Sequence, residues 1–151
     1  KAVDEGYNNF LLSVGGNTRA IGYKGVKKEL WNVGIQNPDK SSASQTIYTL
    51  SIADSSLVTS GNYERYYTVD GKIYHHIIDP NTLMPAEYFT AVSILTPDSG
   101  IADALSTAIY NMPYEEGLKL IEQFENTEAL WILPNGERRF SDNFMEYLLV
   151  Q

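Results

Sequence analysis

The 151 residues of the chain leave room for one folding unit and no second core. Hydrophobic residues at 43% and charged residues at 20% are an ordinary globular composition, which excludes a disordered tail or a fibrous repeat. Eleven basic against 19 acidic residues give a net charge of -8 that repels a nucleic-acid backbone, and the absence of cysteine excludes disulfides, thiolate zinc sites and thiol catalysis.

In chain order, Lys1 to Asn9 resembles the last turns of a helix. Short apolar stretches separated by turn residues then predict strands over Phe10 to Val14, Thr18 to Tyr23, Leu30 to Ile35 and Ile47 to Ile52. Asn37 to Gln45, polar and containing Pro38, is a loop inside the domain. Asp70-Gly71 predicts a type I′ hairpin turn, because both of its central positions need positive φ. Further strands follow at Ile73 to Ile78, Ala91 to Thr96 and Ala129 to Leu133, and Asn135-Gly136 reads as a second turn of the same kind. Helical spacing of Ile101, Leu105, Ala108, Ile109 and Met112 after Pro97-Asp98-Ser99-Gly100 predicts a capped helix. Tyr114 to Phe124 predicts another, with Leu118, Ile121 and Phe124 as its apolar stripe and Glu115, Glu116, Glu122 and Glu125 as a solvated face. No apolar run approaches the roughly 20 residues of a membrane span, and the first residues lack the pattern of a signal peptide.

Asp103 and Thr107 are four residues apart on the first predicted helix, on the side opposite Leu105 and Ile109. A carboxylate and a hydroxyl one turn apart suit a hard, oxygen-seeking cation such as Mg²⁺. They suit better, on spacing alone, a helix-dipole carboxylate and a threonine bonded back to a carbonyl, the commoner outcome for such a pair. His75 and His76, the only histidines, are neighbours on a predicted strand and face opposite sides, so they do not chelate one ion together. One of them suits a general base, and a pair of partly buried structural rings fits the spacing equally well. Gly15-Gly16-Asn17 and Thr59-Ser60-Gly61 follow apolar runs, where glycine permits either a tight turn or close approach of backbone to a ligand. Tyr63, Tyr66, Tyr67 and Tyr74 around the hairpin read as strand packing.

Taken in order, the segments Val14-Gly15-Gly16-Asn17, Trp31 through Pro38, Val58-Thr59-Ser60-Gly61-Asn62-Tyr63-Glu64-Arg65, His75-His76-Ile77-Ile78-Asp79-Pro80 and Ala102-Asp103-Ala104-Leu105-Ser106-Thr107-Ala108 resemble the motif series of the ApbE family, the FAD:protein FMN transferases. The resemblance implies a Mg²⁺-dependent enzyme that splits FAD, joins FMN to a Thr or Ser hydroxyl of a target protein and releases AMP. It matches Asp103 and Thr107 to the metal ligands and His76 to the base or a phosphate contact. Ser60, Gly61, His76 and the backbone at Ile77 match segments lining the flavin site. Other outcomes stay open: FAD binding, hydrolysis of FAD to FMN and AMP, or a fragment that serves only as an assembly module.

By the same resemblance the fold is α+β, a mostly antiparallel sheet with two packed helices, and residues 1–151 are the carboxyl-terminal portion of a larger domain. The upstream half would bring a glycine-rich segment and a further metal ligand, and without it an apolar edge is left exposed. Leu83 stands where many members have glycine, which implies a different local turn after Asp79-Pro80. The implied partner is a subunit of a redox complex carrying the acceptor hydroxyl. The implied location is extracytoplasmic, on a lipoprotein anchor supplied by a preceding segment.

Overall fold

The computed structural model describes residues 1–149. Its strands are β1 (Phe10–Val14), β2 (Asn17–Ile21), β3 (Trp31–Gln36), β4 (Thr46–Ile52), β5 (Ser56–Gly61), β6 (Tyr66–Val69), β7 (Lys72–His75), β8 (Ala91–Thr96), β9 (Glu128–Ile132) and β10 (Arg138–Phe140). Two helices, α1 (Ser99–Tyr110) and α2 (Tyr114–Ile121), lie between β8 and β9, and a short 3-10 helix covers Phe144–Tyr147. Six strands make one antiparallel sheet in the order β1-β2-β5-β8-β9-β10, while β3 with β4 and β6 with β7 form separate ribbons. The fold is therefore α+β, a mostly antiparallel sheet with two helices.

The central strands β5, β8 and β9 are covered on both faces, and strand alternation sorts their side chains between them. Val58 of β5, Val92 and Ile94 of β8, and Ala129 and Trp131 of β9 meet Ala102, Leu105, Ile109 and Ile121 of the helices. Leu57, Ala91, Leu95, Leu130 and Ile132 point the other way, onto Val33, Ile35, Leu50 and Ile52 of the β3–β4 ribbon. All six residues of β8 are buried, which is why its apolar residues do not alternate with charged ones and its only polar side chains are Ser93 and Thr96. At the outer edge, Leu12 and Val14 of β1 are exposed.

Helix α1 starts where the sequence signals it. The Asp98 carboxylate accepts from the amides of Gly100 and Ile101 at 2.8 and 2.9 Å, a cap worth about 1 kcal/mol. Asp70 and Gly71 both have positive φ, 48° and 78°, as the type I′ turn between β6 and β7 requires.

Several local expectations are corrected. Lys1 to Asn9 forms isolated turns rather than a helix, because Gly6 leaves the helical region at φ 93°. Only Gly136 of the second expected type I′ turn has positive φ, and its amide bonds to Leu133 O at 2.9 Å, so this is a longer loop with a left-handed glycine at its end. Ser56–Gly61 is a full sheet strand, so Thr59-Ser60-Gly61 lies within pairing rather than beyond it. Helix α2 stops at Ile121, which leaves Phe124 outside the stripe and 37% exposed.

Strand β7 ends at His75, earlier than the apolar pattern suggests, and the chain then folds over itself as far as Ala86. His75 is buried, and the two histidines do face opposite ways, with His76 exposed. The His75 Nε2–H donates to Ala86 O at 2.9 Å, and its Nδ1 accepts from the Ile77 amide at 3.3 Å. The ring also meets Tyr110 edge-on at 5.9 Å. Further on, Leu83 adopts φ 56° while its amide bonds to Asp79 O at 2.8 Å. Leu83 thus occupies the left-handed region that a glycine adopts without strain.

Two outcomes follow from this segment. Leu83 is 75% exposed, so Leu83→Gly loses little burial and relieves left-handed strain; chemical unfolding should show a gain of roughly 0.5–1 kcal/mol, and a loss would refute the strain. Burial holds the His75 pKa below its ordinary 6.5, against the opposing pull of the Ala86 hydrogen bond. The native state then keeps the ring neutral while the unfolded chain takes up a proton. Stability is full above pH 6.5 and erodes as pH falls through that value towards the lower native pKa. Melting curves from about pH 7.5 to about pH 5.5 should show this decline, and His75→Gln, which retains a donor for Ala86 O, should flatten it.

Candidate functional site

A cleft of about 700 Å³ opens beside the β1–β2 turn, between α1 and the root of the β6–β7 ribbon. Its floor is Thr59, Ser60 and Gly61, the last residues of β5. Gly15 and Gly16 form one wall, at φ 55° and 85°, and the Thr59 amide donates to Gly16 O at 3.0 Å. A Cβ on Gly16 would stand 3.2 Å from Thr59 O, so the glycine is needed for both the turn and the close approach. Gly15-Gly16 is therefore a tight turn, and it lines the cavity.

Asp103 and Thr107 enter from α1, and both are exposed on the cleft side. Leu105 and Ile109 on the opposite side are buried. Asp103 lies beyond the first turn of α1, which holds no acidic residue, so a helix-dipole role does not account for it. The hydroxyl that bonds back to a helix carbonyl is that of Ser106, to Asp103 O at 3.0 Å. Thr107 Oγ1 instead stands 3.5 Å from Ser60 Oγ, facing the cleft. A carboxylate and hydroxyls without a nitrogen or sulfur donor make an all-oxygen set, which fits a hard divalent cation. Among the described residues no cluster of three or more His, Asp or Glu could hold a metal, so further ligands would be water or substrate oxygen.

His76 stands on the far side of the same cleft, just past β7. Its Nδ1 lies 3.4 Å from the Arg65 carbonyl, and a carbonyl only accepts, so Nδ1 carries the hydrogen and Nε2 is left as the basic nitrogen. Tyr63 is buried beneath this wall, against Gly61, where a Cβ would overlap its ring. Burial, with help from the Glu64 charge, pushes the Tyr63 pKa up to about 12, so the phenol stays neutral.

Of the residues singled out from sequence, Ser60, Gly61, His76, Asp103 and Thr107 line one cleft. Ile77 does not. Its side chain is in the core, its amide bonds to His75 Nδ1, and its carbonyl accepts from the Ala86 amide at 3.1 Å. Sequence reasoning gave no role to Gln36 or Glu64, whose side chains bond across the cleft at 2.9 Å, nor to Arg65. The signal available for Arg65 was its place directly after Tyr63-Glu64 in a motif segment. A smaller hollow of about 480 Å³, bordered by Pro38, Thr90 and Arg138, holds none of the predicted site residues.

Residues 2–131 match the ApbE family. The FAD:protein FMN transferase of Treponema pallidum is 38% identical over 148 residues, covering 93% of this chain and 41% of that protein. The FAD:protein FMN transferase of Klebsiella pneumoniae is 32% identical over 128 residues, covering 84% of this chain and 38% of its own length. Among solved structures, the ApbE protein of Thermotoga maritima superposes with a TM-score of 0.87 at 31% identity, over 99% of this chain and 48% of its own. The flavin transferase ApbE of Vibrio cholerae does so at 0.77 and 26% identity, over 97% of this chain and 47% of its own. The chain thus spans less than half the length of these relatives. On sequence and fold alike, it belongs to the ApbE family.

Proposed function

We propose that this chain carries part of the active site of a Mg²⁺-dependent FAD:protein FMN transferase. The observation that supports the reading is the convergence of Asp103 and Thr107, Ser60 and Gly61, and His76 on one cleft from three separate stretches of chain. The relatives named for FAD:protein FMN transfer support the same chemistry. The acceptor is a Thr or Ser hydroxyl of a target protein, and AMP is the leaving product.

In this reading Asp103 and Thr107 hold the cation. Bound there, it would offset charge on the pyrophosphate oxygens of FAD. Ser60 and Gly61 border the flavin phosphate, and the absence of a side chain at Gly61 makes room for the Tyr63 ring that backs this wall. His76 Nε2 takes the proton of the attacking hydroxyl, whose oxygen bonds to the flavin-side phosphorus. The bond from that phosphorus to the bridging oxygen breaks, and AMP leaves with the oxygen and its electron pair. The Arg65 carbonyl keeps the His76 ring turned so that its basic nitrogen is free.

Full-length protein incubated with FAD, Mg²⁺ and a threonine-bearing acceptor should attach flavin covalently and release AMP in equal amount. FMN and AMP appearing free in solution, with no flavin on the acceptor, would replace transfer with hydrolysis. In the same assay His76→Ala should lower turnover at saturating FAD and Mg²⁺ by roughly 10²- to 10⁴-fold. Asp103→Ala should act chiefly on the Mg²⁺ requirement, seen as weaker metal binding by calorimetry and partial rescue by excess metal. If Asp103→Ala binds the metal as wild type does, the assignment of that residue fails.

A further inference from the structure

An acidic protein that handles a pyrophosphate has an electrostatic difficulty, and the cleft shows how it is met. Two carboxylates, Glu64 and Asp103, line the cavity, and the chain as a whole carries -8. A divalent cation at Asp103 and Thr107 would offset a dianionic pyrophosphate and leave the Asp103 carboxylate uncompensated, whereas Glu64 faces Lys40. Arg65 is the single Lys or Arg bordering the cavity.

Three features make this guanidinium available. It is exposed, and among the described residues no carboxylate lies within ion-pair distance of it. Its neighbour Glu64 is engaged elsewhere, accepting from Gln36 at 2.9 Å and facing Lys40 at 3.9 Å. Lastly, Arg65 directly precedes β6 and His76 directly follows β7, and the Tyr66↔His75 pairing sets them opposite each other at the base of the ribbon. The main-chain contact from Arg65 to the His76 ring fixes that juxtaposition. Arg65 and His76 therefore border the same end of the cavity.

We infer that Arg65 binds the flavin-side phosphate of FAD, the one that receives the acceptor hydroxyl. Its planar fork pairs with two phosphate oxygens, and it holds them while the bond to the bridging oxygen breaks and AMP departs. The proton of the hydroxyl goes to His76, so Arg65 gains and loses none. This rests on the transfer reading above and adds to it a residue for the phosphate.

Comparing FMN with riboflavin isolates that phosphate, since the two differ by it alone. In full-length protein titrated by flavin fluorescence, wild type should prefer FMN. Arg65→Met should weaken FMN binding by roughly 10- to 100-fold, the worth of a charge-assisted pair, and leave riboflavin binding within about twofold. Arg65→Lys should recover part of the FMN affinity as a point charge. Unchanged riboflavin binding also certifies the fold of each variant. Equal losses for both flavins would assign Arg65 a structural role, and FMN affinity equal to wild type would leave it none; either overturns the inference. Failure of the wild-type protein to distinguish FMN from riboflavin overturns it too. Failure of the wild type to release AMP from FAD strikes instead at the transfer reading, and with it at Arg65.

Discussion

The site depends on how closely α1 can lie on the sheet. Ala102 and Ser106 are small helix residues, and both are fully buried. The Ser106 hydroxyl meets the Ser60 hydroxyl at 2.8 Å while bonding to Asp103 O, so the contact between helix and strand is small and polar yet satisfied. Below it, Thr59 and Ser93 share a hydrogen bond of 2.8 Å across β5 and β8. A larger residue at Ser60 or Ser106 would lift the helix and carry Asp103 and Thr107 away from the floor of the cleft. The small residues at this contact therefore set the height of the oxygen donors.

Burial divides the polar groups into two populations with different work. Those beneath the cleft, such as His75 and Ser93, have their partners inside the protein and hold segments in place. Those at its surface, Asp103, Arg65 and His76, keep unspent capacity towards the cavity. The two histidines show the division most clearly, because one backbone step sends one ring into the core and the other to the opening. Tyr110, packed edge-on against both His75 and Phe89, locks the inner ring and hence the direction of the outer one.

Much of this was legible in the residues. The spacing of Asp103 and Thr107 placed them on one helix face, and the Asp70-Gly71 turn and the Asp98 cap carried their own local chemistry. What was not legible depended on tertiary contact. Ser56–Gly61 has only two large apolar residues and becomes a central strand because β2 and β8 pair with both of its edges. Strand β7 stops at His75 because the following residues bond to Met84 and Ala86 instead of continuing the ribbon. Phe124 matched helical spacing, but the helix ended before reaching it. The cavity-facing roles of Gln36 and Arg65 needed the relative placement of two ribbons, which no local pattern encodes.

The contributors to the cleft are scattered from Ser13 to Thr107 along the chain. Each neighbour in the cavity is the outcome of closing a long loop, whose entropy is recovered only when the sheet is complete. The cavity is consequently a product of the whole fold and has no precursor in a single hairpin or helix. Any ligand that bridges its walls closes the same loops a second time, so its binding free energy adds to the stability of the entire sheet rather than to one corner of it.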